Sequence, residues 1–316
     1  MVKIVLYVLC FNAETEMFAK KMFAEISCAR IISIPQTHLF ESVMYKTVLR
    51  ELYHEWKNAD FVGTVAYSYP NKIGMDRLRH ILAIHDITNY EFVGLGWMCE
   101  IPFWNNPNTK KIFYECARTL NKPLPALYQS FCACNYWMAR PAIMLAYIEF
   151  FNKEWLPVVE SHPLINTNAT YHDGKLGIKT LKMLTGYDYY TQHPFVHERL
   201  VSNYMHWQNV KQLPIILNSR YGSEQLNIWN QVNIFTPRSH TVDFNSMFGD
   251  PCVGHKKQLQ FTFTTMRGLV ERYVILEDDA SSLQTLVNRL SSQTPITSWV
   301  NYLSLHSPMG LNFSFA

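Results

Sequence analysis

The sequence predicts an α/β protein: a sheet covered by helices on both faces, followed by a small all-β module. Three observations carry this. Continuous β-prone runs without polar alternation recur through the first two-thirds of the chain, as in strands buried on both faces. Apolar residues at helical spacing separate those runs. After Pro214 the helical periodicity gives way to turn residues such as Asn218, Gly222, Gly249 and Pro251, with β-rich runs between them. The expected divisions are a main domain over residues 1–211, a β-module over 212–280 and a tail over 281–316. With 316 residues, 48% hydrophobic and 14% aromatic, the chain has ample material for a core.

Lys3 to Cys10 is the first buried strand, Glu14 to Ile26 a helix, and Ala29 to Ile34 the second strand. Tyr45, Val48, Leu49, Leu52 and Trp56 share one face of a further helix. Asp60 to Tyr67 is the third strand, residues 75–85 are helical, and Tyr90 to Trp97 is the fourth strand. Pro107 to Leu120 reads as a helix and Phe131 to Met138 as a strand stopped by Pro141. A strong helix follows, with Met144, Tyr147, Ile148, Phe151 and Trp155 on one side. Lys175 to Leu184 and Pro194 to Trp207 complete the α/β part. In the module, Leu259 to Thr264 and Arg272 to Leu276 are strands.

The net charge is +3, and the basic residues are scattered rather than gathered into a stripe. That argues against a nucleic-acid binder. The seven Cys form no CxxC pair and have no partner His cluster, so neither a zinc ribbon nor a disulfide framework is expected. Several lie in apolar runs, which suits buried thiols in a reducing, cytoplasmic compartment. No stretch approaches the 18 apolar residues of a membrane span, and a soluble protein is expected.

The chain has no GxGxxG, GxxxxGK[ST], HExxH or GxSxG motif. Its one dense acidic run, Glu277-Asp278-Asp279, reads as a solvated turn, with a divalent-metal site as the alternative. In an open α/β sheet, ligands bind at the carboxyl ends of the strands. This rule nominates Phe11 and Asn12, the segment Ser68-Tyr69-Pro70-Asn71-Lys72, and Met98-Cys99-Glu100. Lys72 suits a phosphate, and Phe11, Tyr67 or Tyr69 suits a base or sugar ring.

The segment from Gln192 to Leu200 is the richest in polar chemistry, with His193, His197, Glu198 and Arg199 around a helix start. Pro194 fits a first helical position. Glu198 then lies early on an amphipathic helix, near its positive end, where an ionised carboxylate is stabilised. It reads either as a proton acceptor or as a carboxylate that pairs with Arg199 or caps the turn.

Three ordered blocks, spanning about residues 3–207, carry a resemblance: Phe40-Glu41-Ser42 through Tyr67, Cys134-Asn135-Tyr136-Trp137-Met138-Ala139-Arg140-Pro141, and His193 to Leu200. Together they resemble glycosyltransferases of bacterial capsule and lipopolysaccharide loci and similar viral sequences from large DNA viruses. The resemblance implies a GT-A-like, Rossmann-type sheet, a nucleotide-sugar donor and a glycan acceptor. If the source is viral, the compartment is the host cytoplasm. Members with an Asp-x-Asp motif bind Mn²⁺ or Mg²⁺; this chain has none, which leaves the metal open. It also has Tyr67-Ser68-Tyr69-Pro70 where bacterial members carry His-Tyr-Arg-Arg, so Lys72 would hold the donor phosphate. Arg220 to Ser223 and Asn245 to Leu259 resemble a small β-domain appended to many unrelated proteins.

On this reading Phe11 and Asn12 hold the base, and Ser68, Tyr69 and Lys72 hold the diphosphate. Asn135 bonds a donor or acceptor sugar, and Glu198 is the general base of an inverting transfer. In a retaining one Glu198 would contact the donor sugar. His193 either orients Glu198 or the acceptor, or merely caps its helix. The alternative is a non-catalytic glycan-binding or structural protein that keeps the fold and works through its β-module.

Overall fold

A computed structural model describes residues 2–84, 87–96, 98–99, 106–125, 131–169, 177–213, 216–231, 251–264 and 270–276. The acidic run Glu277-Asp278-Asp279, the tail over 281–316 and Glu100 lie outside these residues. The chain divides into two units: Met1–Met75 with Tyr90–Gln212, and Asp76–Asn89 with Leu213–Ala316.

The first unit is built on a mixed sheet, which makes the fold α/β. Strands β1 (Ile4–Cys10), β2 (Ala29–Ser33) and β3 (Phe61–Ala66) run parallel, with β1 in the middle. β4 (Phe92–Gly94) is the far edge, β5 (Met98–Cys99) pairs only with β6 (Phe131–Cys132), and β7 (Trp137–Ala139) is inserted antiparallel between β3 and β4. The order is β2-β1-β3-β7-β4. β3 is buried along its whole length, as its unbroken apolar run requires. Gly63 is needed at its crossing with β7. A Cβ there would lie 2.4 Å from Met138 Cβ and 2.6 Å from the Trp137 carbonyl oxygen.

Helix α1 (Ala13–Met22) opens with a reciprocal capping box between Asn12 and Thr15. The helix expected through residues 45–56 is broken into a 3₁₀ turn (Phe40–Ser42), a π turn (Met44–Val48), α2 (Leu49–Glu51) and α3 (Tyr53–Trp56). Two side chains take carbonyls out of the regular ladder: Trp56 Nε1 donates to Leu49 O (2.8 Å) and Asn152 Nδ2 to Tyr45 O (2.7 Å). α4 (Tyr69–Lys72) follows β3 directly. α5 (Met75–Leu82) and α6 (Pro107–Thr119) come next.

α7 (Pro141–Phe150) passes through a π turn (Phe151–Trp155) into α8 (Leu156–Glu160). Pro157 explains the widened turn: its ring would meet the carbonyl four residues back, and it has no N–H to donate. α9 (Ile178–Thr185) ends at Gly186 with φ +79. α10 (His193–Trp207) is buried at ten of its positions, from His193 to Met205. The sequence suggested an amphipathic helix; the structure buries it on most of its faces. Trp137 anchors the core, stacked on Tyr45 (5.6 Å) and edge-on to Tyr147 (5.1 Å).

The second unit contains an antiparallel sheet of β8 (Ile216–Ser223), β9 (Ile228–Gln231), β10 (Gln258–Thr264) and β11 (Val270–Leu276), in the order β11-β10-β8-β9. Tyr221 and Leu259 face each other across β8 and β10 and are buried. The Asn245 to Asp250 part of the expected turn region lies outside the described residues. Among the described residues, no helix is long and apolar enough to cross a membrane.

Candidate functional site

The site begins with strand direction. β1 and β3 deliver Phe11–Asn12 and Tyr67–Ser68 to the carboxyl edge of the sheet. β7 runs the opposite way, so the residues just before it lie at that same edge. The strand expected over 131–138 is interrupted there. Ala133–Asn135 forms a turn, with Cys134 (φ 64) and Asn135 (φ 53) both in the left-handed region. Consecutive non-glycine residues in that region are costly and cluster at sites where the surroundings enforce them. Helix α10 does the enforcing: Cys132 N donates to Ser202 Oγ (2.7 Å), and Cys134 N donates to Glu198 Oε1. Backbone donors that would have served a strand ladder go to α10 instead.

Four of the nominated residues come together here. Ser68 Oγ lies 3.3 Å from Tyr136 OH, and Lys72 Nζ stands 5.8 Å from the centre of the Tyr136 ring. Glu198 bonds the Cys134 amide, and its Oε2 lies 3.7 Å from Arg199 Nη1. Asn135 is buried, and its Oδ1 has no hydrogen-bond partner. A buried acceptor left open costs about 1–3 kcal/mol, so its persistence calls for an explanation such as a ligand.

Glu41 joins the group. Dense surroundings, above all, raise its carboxyl pKa; the Glu198 charge adds to that, and Lys72 opposes it. Burial, then Glu198, likewise raises the Cys134 thiol pKa, which keeps it from acting as a thiolate. Two carboxylates and one ammonium are thus close enough to act on one another. Phe40, directly before Glu41, is itself left-handed (φ 50) and stacks on Tyr190 at 5.7 Å.

The other nominated residues have different surroundings. Tyr69, expected to stack on a ligand ring, is fully buried and donates its hydroxyl to Leu95 O (2.9 Å). Asn12 spends its side-chain oxygen on Thr15 N (2.9 Å) as a helix cap. Phe11 is half-buried against Tyr67, with ring centres 6.1 Å apart. No acidic residue lies in the first turn of α10, so Glu198 owes its place to the Cys134 amide rather than to the helix terminus. None of the hydrogen bonds of His193 goes to Glu198. Glu41 and Tyr136 escaped the strand-end rule, although both sit inside the blocks that carry the resemblance.

His193 belongs to a second group. Its Nε2 lies 3.3 Å from Glu160 Oε2, and His38 Nε2 lies 3.2 Å from Glu160 Oε1. One ligand atom from each residue falls within 4.8 Å of the other two, an arrangement able to hold a metal ion. Hydrogen bonds from His193 and then His38 hold the Glu160 carboxyl well below the usual range. Thr191 Oγ1 contacts His193 Nδ1 at 3.0 Å. One turn further along α10, His197 accepts from Trp155 Nε1 (3.1 Å), and its buried Nε2 has no partner. Burial pushes the His197 pKa down to about 3. Residues 38 and 160 are 122 positions apart, which no sequence pattern could have joined.

Comparison with known protein families, curated proteins and solved structures finds no match to this chain.

Proposed function

We propose that the chain transfers a sugar from a nucleotide-sugar donor to a glycan acceptor at the carboxyl edge of a GT-A-like sheet. The observation that carries this reading is the convergence of Ser68, Lys72 and Glu198 on the Cys134–Tyr136 turn, whose central residue, Asn135, buries an Oδ1 with no partner. These residues come from three separate parts of the chain, and the crevice outside a sheet's carboxyl edge is where open α/β proteins bind nucleotides.

Lys72 neutralises the donor diphosphate, and Ser68 and Tyr136 supply hydroxyls beside it. Asn135 Oδ1 accepts a hydrogen bond from a sugar hydroxyl, which removes its buried deficit. Glu198 takes the acceptor hydroxyl proton as that oxygen bonds the anomeric carbon. The bond from that carbon to the phosphate oxygen breaks, and the nucleoside diphosphate leaves with its electron pair. The Cys134 amide holds Glu198 in place while its second oxygen meets the acceptor.

The non-catalytic reading keeps one specific support: Glu198 already has two internal partners, Cys134 N and Arg199. A thermal-shift panel of UDP-, GDP-, CMP- and dTDP-sugars, each with Mn²⁺ and with EDTA, separates the two. Saturating donor at a hundredfold excess over its dissociation constant stabilises the fold by about 2.7 kcal/mol. A shift with one nucleotide family, followed by acceptor-dependent release of its nucleotide, supports transfer. No shift with any donor favours glycan binding or a structural role.

A further inference from the structure

The His38–Glu160–His193 group has no part in the chemistry above. Its three members come from three elements. His38 precedes the Phe40–Ser42 turn, Glu160 ends α8, and His193 begins α10. Glu160 is the last residue of α8, at the negative end of that helix, where a cation is favoured.

Geometry supports a metal ion as that cation. Ligands about 2.0–2.1 Å from a tetrahedral Zn²⁺ lie roughly 3.3–3.4 Å from one another. The two nitrogen–oxygen separations here are 3.2 and 3.3 Å. The remaining pair is within 4.8 Å, and the half-exposed His38 ring would have to shift to close that gap. In the tautomer that donates Nδ1–H to Thr191 Oγ1, the His193 Nε2 lone pair faces Glu160 Oε2. In the other tautomer Nε2–H donates to Glu160 Oε2, so an ion placed between them replaces a hydrogen bond that the pair can make by itself. A hydrogen bond from the second ring nitrogen to an outer partner is how metal-binding histidines are oriented.

The donor set selects the metal class. Two imidazoles and one carboxylate suit zinc and its transition-metal neighbours, whereas Mg²⁺ and Ca²⁺ prefer oxygen ligands. Three protein ligands leave a fourth position, and the partial exposure of His38 and Glu160 opens it to water.

We propose that His38, Glu160 and His193 bind one zinc-class divalent ion with an open fourth coordination position. The ion ties together three segments remote in sequence. Two of them, the Phe40–Ser42 turn and α10, pack against each other and carry Glu41 and Glu198.

The test uses the full chain stripped with chelator and titrated with ZnSO₄, MgCl₂ or MnCl₂, and is read by calorimetry and melting temperature. Activity is not needed, so the result stands whether or not sugar transfer is upheld. We expect one equivalent of Zn²⁺ to bind and raise the melting temperature, with little response to Mg²⁺. His38→Ala, at a half-exposed position, and Glu160→Gln, which keeps the side-chain shape, should each weaken Zn²⁺ binding at least about tenfold. The Co²⁺-substituted protein should show the strong visible absorption of a tetrahedral site, lost in the same variants. Absence of Zn²⁺ binding would overturn the proposal, as would Zn²⁺ binding undiminished in both variants. A response to Mg²⁺ stronger than to Zn²⁺ would also overturn it.

Discussion

Helix α10 serves two polar groups that solve the same problem differently. At its start, His193 meets a carboxylate that His38 also contacts, and each polar atom there already has a neighbour of suitable chemistry. A turn and a half later, Glu198 props up a left-handed turn whose next residue buries an acceptor with no partner. The first group is internally compensated, and an ion would replace contacts that exist. The second carries backbone strain and an open hydrogen-bond deficit, and a ligand's donor would fill the deficit. On the proposed function this contrast favours a ligand at the Glu198 group over one at His193, which the sequence offered as an orienting residue or a helix cap.

The comparison can be broken most forcefully from below the rim. Gly63→Ala puts a methyl group where Met138 Cβ and the Trp137 carbonyl already stand, 2.4 and 2.6 Å away. β7 must shift, and with it the Asn135 turn. We expect a loss of about 3 kcal/mol or more in chemical denaturation, at the upper end of overpacking costs. A loss below about 1 kcal/mol would mean that β3 and β7 are not held at this spacing.

The next effect concerns chemistry rather than folding. Glu198→Gln keeps an acceptor for the Cys134 amide but removes the base. Transfer should fall at least about a hundredfold, roughly 2.7 kcal/mol in barrier, while donor-induced stabilisation persists. Near-normal turnover in this variant would remove Glu198 from the role and leave it a structural strut.

The sequence showed the strands of the first unit well, because β1 and β3 are buried on both faces and read as unbroken apolar runs. It misread the places where tertiary partners override local preference. Residues 131–138 read as one strand, yet Ser202 and Glu198 accept hydrogen bonds from the Cys132 and Cys134 amides, and the chain turns there. Residues 45–56 have helical spacing, yet Trp56 and Asn152 capture carbonyls and split the helix. The rim was half legible for the same reason. The strand-end rule finds Ser68 and Lys72, but Glu41 arrives on a connecting turn that the rule does not cover. His38 and Glu160 meet only after folding, so nothing local announces them.

Glu41 offers a test in which a carboxyl group beside the rim costs stability. Burial raises its folded-state pKa above the ordinary 4.5, so the fold favours the protonated form. Its contribution is therefore intact below pH 4.5 and is lost as pH rises through the folded-state value. Glu41→Gln has no charge to desolvate. It should be more stable than the parent chain at pH 7, with the gap closing toward pH 4.5. A variant less stable at both pH values would make Glu41 a structural partner of Lys72 instead.

The smallest effect separates the rim from its support. Asn12 was expected to hold a nucleotide base, but its Oδ1 caps α1 through Thr15 N, and Thr15 Oγ1 answers by accepting from Asn12 N (3.1 Å). Asn12→Ala removes one half of this capping box and should cost about 1 kcal/mol. Asn12→Ser restores a capping oxygen with a shorter side chain and should recover most of that. If the contrast drawn above holds, donor affinity stays constant across both variants, because a satisfied cap has nothing left to offer a ligand. Donor affinity that drops in both variants while the cap is restored in one would move Asn12 into the site. It would also show that an internally satisfied group can still exchange its partner for a ligand.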